Sequence, residues 1–309
     1  MLLNPLEGRR EYMSEPEDLY KRTQEGLFDS ILSRVYDWYS EDDPLEELQF
    51  YGEDTDLPLL DETDKEILMH RDAHFSSSFS AMIDYYRDPE AKGINENIGI
   101  ERIIFLEKVQ QGLKKDLAPI LIGGRDAEKV AIAKKMYREL AEVSTASSPE
   151  GKLAEALLSE KSVEESVEEL LPIVANRPEM LTPLACSEYF SDPLFPSYGT
   201  GAKLAVVLLG RLRYEKAIEP LFHLIGSFSD FSTETAVLHA LRQMGEPVRT
   251  MAMKKAASLP LTKDNERAVL ILMEFLPDEE ITELFRHCLK IPGDRDLFRS
   301  YLSLGLEGK

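Results

Sequence analysis

Three segments in the last third of this chain repeat one apolar helical pattern at intervals of 31 and 32 residues: Ala205-Val206-Val207-Leu208-Leu209, Ala236-Val237-Leu238-His239-Ala240 and Ala268-Val269-Leu270-Ile271-Leu272. Each is followed by a turn (Arg213-Tyr214-Glu215-Lys216, Gly245-Glu246-Pro247, Leu276-Pro277-Asp278) and then by a second apolar helix. A helix pair of this size cannot bury its apolar face alone, so it must stack on its neighbours. The period therefore predicts an all-α chain with paired antiparallel helices from about residue 152 onward. The expected architecture is an α-solenoid with a groove, preceded by a less regular helical region.

The upstream sequence supports that division. Ser14-Glu15-Pro16-Glu17 reads as a capping box with proline in the first turn. It starts a helix running to about Tyr39, with Leu27, Phe28, Ile31, Leu32, Val35 and Tyr36 at three- and four-residue spacing and Trp38 near its end. Ten acids and no base lie between Glu41 and Glu62, with Pro44 and Pro58 among them, which reads as an acidic loop. A helix is expected from Asp64 to Arg87, and a break at Gly93–Gly99. Another helix is expected from Ile100 to Asp116, and a further one capped by Asp126. Small polar residues at Ser144–Gly151 mark a linker, giving an N-terminal helical region over 1–145 and a repeat domain over 150–309. No stretch alternates with period two and no hairpin turn signature occurs, so no sheet is expected.

The net charge is −21 with 30% charged and 43% hydrophobic residues, a composition typical of globular proteins. Basic residues form only short clusters such as Lys114/Lys115, Arg211/Arg213 and Lys254/Lys255, so a nucleic-acid partner is not expected. A protein or peptide partner with a basic surface fits the overall charge better. Two distant cysteines, Cys186 and Cys288, suit a reducing compartment, and a cytoplasmic location is expected. The opening residues lack a signal-peptide apolar core, and no apolar run approaches the ~20 residues of a membrane span, so no membrane partner is expected.

The stretch Leu208-Leu209-Gly210-Arg211-Leu212-Arg213-Tyr214-Glu215-Lys216-Ala217-Ile218-Glu219-Pro220-Leu221 resembles the signature of the HEAT-like repeats named after phycobilisome lyases. Ala240-Leu241-Arg242-Gln243-Met244-Gly245-Glu246-Pro247-Val248 resembles its Gly-Glu-Pro variant, and Leu272–Ile281 keeps the apolar spacing without the glycine. The resemblance covers the C-terminal third. It implies a right-handed solenoid with first helices on the convex face and second helices lining the groove. It does not imply lyase activity, and the chain has no His-Glu dipeptide of the kind HEAT-like hydroxylases use for iron.

On the second helices, Ile218, Leu221, Phe222 and Ile225 form one stripe, so Glu219 and His223 face away from it. The equivalent positions are Arg249 and Met253, then Thr282 and Arg286, and this row is the expected partner-binding ladder. The alternative is a metal-dependent enzyme. Glu66, His70 and His74 fall at i, i+4 and i+8 on one helix edge, where two histidines could share a metal with a carboxylate. That motif lacks the glutamate that follows the first histidine in the zinc-protease pattern. Gly199-Thr200-Gly201-Ala202-Lys203 lacks the spacing of a phosphate loop, and Thr200 reads instead as a helix N-cap. Cys186 reads as a core residue. The sequence therefore predicts a non-enzymatic binding scaffold with no cofactor.

Overall fold

The computed structural model describes residues 60–88, 91, 99–159, 161–227, 231–291 and 296–307. The helix expected over 14–39, Trp38, most of the acidic stretch and most of the break at 93–99 lie outside the described residues. Among the described residues the chain is all-helical, with 76% of them in helix and no strand. The 15 α-helices are α1 (Glu62–His74), α2 (Phe79–Tyr85), α3 (Ile100–Leu113), α4 (Ala118–Leu121), α5 (Arg125–Ser144), α6 (Pro149–Leu158), α7 (Val163–Val174), α8 (Leu181–Cys186), α9 (Gly201–Arg211), α10 (Ile218–Leu224), α11 (Phe231–Met244), α12 (Glu246–Ala256), α13 (Lys263–Met273), α14 (Glu279–Cys288) and α15 (Asp296–Glu307). No helix of the described residues is long and apolar enough to cross a membrane.

The single helix expected over 64–87 is two. Ser76 and Ser77 take left-handed backbone angles (φ 50° and 64°), and the Ser78 side chain accepts from the Ala81 N–H to start α2. Three consecutive serines offer the backbone local hydrogen bonds that compete with helix, and the chain takes them. Likewise α5 has Gly124 at its N-cap. Asp126 sits in the first turn and pairs with Lys65 at 2.7 Å rather than capping the helix.

Two buried ions tie the first helices together. Asp64, fully buried, caps α1 reciprocally with Asp61 and receives both Nε and Nη2 of Arg102 at 2.6 Å. Arg71, also fully buried, donates to Asp72, Gln110 and Asp116 at 2.7–2.8 Å, with its guanidinium 4.7 Å from the Phe79 ring centre. Each charge is compensated by hydrogen bonds, without which burial would be prohibitive. Helix α5 then packs on both α1 and α6, so the short connection at 145–148 joins packed helices.

From α9 onward, contacts recur at one repeat period. Lys203 Nζ lies 2.8 Å from Ser232 Oγ, Arg249 Nη2 3.1 Å from Asp278 Oδ2, and Cys288 Sγ 3.8 Å from the Ala256 carbonyl. A Cβ built on Gly210 would lie 2.6 Å from the Ala240 Cα. First helices α9 and α11 thus meet start to start and end to end, and α11 meets α13 at their ends, where Arg242 lies 3.9 Å from Glu274. Second helices α12 and α14 likewise meet start to start and end to end. The C-terminal ends of α10, α12 and α14 consequently lie on one edge of the stack, and the turns at 212–217, 245 and 274–278 lie on the other. This arrangement is compatible with a solenoid. Fully buried Asn265 locks one connection, donating to the carbonyls of Lys255 (2.9 Å), Ala256 (3.2 Å) and Ser258 (2.8 Å), while its Oδ1 accepts from the Thr262 N–H at 2.6 Å.

Candidate functional site

A cluster of histidine and tyrosine rings forms where α1 meets α5 and the strap over residues 187–200. His70 and His74, one turn apart on α1, stack with ring centres 5.1 Å apart. Tyr137 of α5 places its hydroxyl 2.7 Å from His74 Nδ1. Tyr198 of the strap stacks on the other side of His74, with centres 4.5 Å apart and planes 15° apart. Tyr85 and Tyr86 of the α2 end complete the aromatic wall.

The strap is built for that contact. Phe190, Leu194 and Phe195 anchor it in the core. Ser197, Tyr198 and Gly199 all take positive φ (70°, 51° and 78°), which swings Tyr198 onto His74. Two consecutive non-glycine residues there are strained and persist because the buried anchors fix both flanks. Thr200, expected as a side-chain cap of α9, makes no such bond and instead donates to the Ser197 carbonyl at 2.7 Å. Gly201 is required by packing, since a Cβ would meet Ser197 Oγ at 2.6 Å and Phe190 at 3.0 Å.

The electrostatics hold this cluster neutral. Burial lowers the His70 pKa to about 4, against a small opposing pull from Asp192. Burial, and then the neighbouring His70, lower His74 to about 3, although the Leu194 and Pro193 carbonyls act the other way. Burial also raises Tyr137 and Tyr198 above the usual phenol range. The Tyr137 hydroxyl and His74 Nδ1 share a hydrogen bond, and burial keeps the His74 ring a neutral imidazole. Glu66 is exposed, and no three His, Cys, Asp or Glu side chains converge as metal ligands among the described residues. The expected trio Glu66, His70 and His74 is therefore not brought together, and His74 spends one ring nitrogen on Tyr137.

The second-helix row is also differently disposed from its expectation. Glu219 and His223 do face outward, 3.3 Å apart, and Glu219 also binds Lys255 at 2.9 Å. Arg249 is not a free cation. It bridges Glu246, Asp278 and Glu280, the last at 2.5 Å, and its side chain is only 16% exposed. Thr282 is buried and donates to the Asp278 carbonyl at 2.7 Å, one turn earlier on the same helix. Met253 packs partly against the core, and Arg286 alone of the later positions is exposed. Charged residues one repeat apart have paired with each other instead of forming an open ladder.

Both cysteines are free. Burial pushes the Cys186 thiol up to about 12, so it is not a nucleophile near neutral pH. Sequence reasoning missed Tyr137 and Tyr198 as partners of His74; the only signal was the Ser-Tyr-Gly-Thr-Gly run, whose glycines announce an unusual turn. No protein-family model, curated protein or solved structure matches this chain.

Proposed function

We propose that this chain is a non-enzymatic protein-binding scaffold of HEAT-like type, working in a reducing, cytoplasmic setting. The observation that carries this reading is the one-period contact pattern from α9 to α14. Stacked helix pairs repeat an equivalent surface position at each step, which suits extended recognition of another polypeptide. The groups that would have to carry chemistry are engaged in structure: His74 with Tyr137 and Tyr198, Arg249 with three carboxylates, and Cys186 as a half-buried neutral thiol.

The test is in-cell crosslinking of the full chain followed by mapping of the linked lysines. A saturable protein partner linked within 201–307 is the expected result. The reading fails if no partner saturates, or if the purified chain carries a stoichiometric metal or a turnover that a His70→Asn/His74→Asn variant loses.

A further inference from the structure

Between Lys108 and Asp126 the chain turns a corner from α3 through α4 into α5, and every residue of the corner is described. It holds four cations and two acids. Lys108, Lys114, Lys115 and Arg125 are all exposed, and none forms an ion pair among the described residues. Both acids are committed, Asp116 to Arg71 at 2.8 Å and Asp126 to Lys65 at 2.7 Å. Of the acids around the corner, Glu62 is held by Lys65 and Asp72 by Arg71, Glu107 and Glu128 are partly buried, and Glu66 lies on the His70 edge of α1. A chain of net charge −21 thus carries a local excess of positive charge here. Pro119 is exposed and Ile120 is 43% exposed, so an apolar tip stands between the cations along the chain.

The two committed acids fix the shape of the corner. One is tied to α1 at Arg71 and the other at Lys65, six residues earlier, so the corner runs back along α1 by ~9 Å. Lys114 and Lys115 precede the first tie and Arg125 adjoins the second. Cations therefore stand at both ends of a patch of roughly that length. Lys65 is also five residues from Leu60, the first described residue, which packs on the core. The chain upstream of Leu60 enters the fold beside this corner.

That upstream stretch, residues 41–59, holds eight acids and no base. We propose that the corner is the docking site of this stretch, the chain's own acidic segment held against Lys108, Lys114, Lys115 and Arg125. Charge, reach and hydrophobicity all select it. Four extended residues span ~13 Å, so Glu53-Asp54-Thr55-Asp56, which ends four residues before Leu60, reaches along the patch. Leu45, Leu48, Phe50 and Leu57 are interspersed with the acids and match the exposed Pro119-Ile120 tip. The tether supplies the stretch at an effective concentration in roughly the millimolar range, which an unlinked acidic partner must outcompete. The proposal goes beyond the scaffold reading and does not depend on it.

The test treats the full chain with a water-soluble carbodiimide, which joins a lysine amine to a carboxylate only where the two are in contact, and maps the links by mass spectrometry. Amide links from Lys108, Lys114 or Lys115 to acids within 41–56 are expected. A mixture of isotope-labelled and unlabelled chain should show them to be intramolecular. Their yield should fall severalfold as salt shortens the screening length from ~20 Å at about 0.02 M to ~4 Å at about 0.5 M. An Ile120→Ser/Arg125→Glu variant keeps all three lysines and should link at least about threefold less. Both replaced side chains are exposed, so its circular dichroism and melting temperature should match wild type. A Lys108→Glu/Lys114→Glu/Lys115→Glu variant should be cut within 41–59 by a glutamate-specific protease severalfold faster than wild type. The proposal is overturned if these links do not form, or form as often at the exposed Lys254, Lys263 and Lys290 of the repeat region. It is equally overturned if the links are only intermolecular, or if either variant behaves as wild type. None of these failures touches the scaffold reading, which in-cell crosslinking within 201–307 tests separately.

Discussion

Gly210 and Ala240 meet backbone to side chain across α9 and α11, so closely that a methyl group on Gly210 would lie 2.6 Å from the Ala240 Cα and 2.7 Å from its Cβ. Glycine is needed here for proximity, not for a special dihedral. Gly210→Ala must push the first helices apart, and overpacking of this kind costs about 1–3 kcal/mol. The expected result is a lower urea midpoint with unchanged helical content by circular dichroism. An unchanged midpoint would mean that the stack yields freely at this step.

The histidine pair makes stability fall in mild acid. Both folded-state pKa values are depressed, to about 4 for His70 and about 3 for His74. Above pH ~6.5, the ordinary histidine value, neither state binds the proton and stability is greatest. As pH drops below that, the unfolded chain protonates first and is favoured, until the folded-state values are passed. At pH 5 each histidine should cost about 1–2 kcal/mol relative to pH 7.5. A His70→Asn/His74→Asn variant should show a smaller loss between these two pH values in urea titrations. Equal losses in both proteins would place the acid sensitivity elsewhere.

Asp64 is wholly buried and depends on Arg102 for charge compensation. Arg102→Met leaves that carboxylate with only its backbone partner and should cost about 3 kcal/mol, as breaking buried pairs does. Asp64→Leu added to Arg102→Met should restore part of the loss in calorimetry, because no orphaned charge then remains. A purely additive double variant would contradict this coupling.

Arg249→Ala should act on stability rather than on recognition. Its guanidinium holds Asp278 and Glu280 of the next second helix together with Glu246 of its own. Removing a network of this kind should cost on the order of 1 kcal/mol, seen as a modest drop in melting temperature. Partner capture should be unaffected, and a selective loss of capture with unchanged melting would restore Arg249 to the binding surface.

Most helices of the repeat region were legible because their apolar spacing is strong, and the period also held contact information that spacing alone concealed. Lys203 and Ser232 are 29 residues apart, as are Arg249 and Asp278, while Ala256 and Cys288 are 32 apart. A charged residue on a stacked helix meets whatever lies one period further along. Reading the second-helix row one repeat at a time does not show that Arg249 meets Asp278 one period further along. The His74 cluster was less legible. Tyr137 lies 63 residues from His74 and Tyr198 lies farther still, on a strap whose left-handed run has no periodic signature. The split at Ser76–Ser78 was concealed for a different reason. The apolar pattern continues through it, and only the competing serine hydroxyls betray the break.

Asn265 gives one joint of the stack an unusual mechanical character. Its amide binds carbonyls at the end of one helix pair while its oxygen fixes the start of the next. Bending at residues 257–262 must therefore break several short hydrogen bonds inside the core at once. Pulled from its ends, such an array has a weld at this joint, and α12 and α13 would travel on either side of it as one stiff lever.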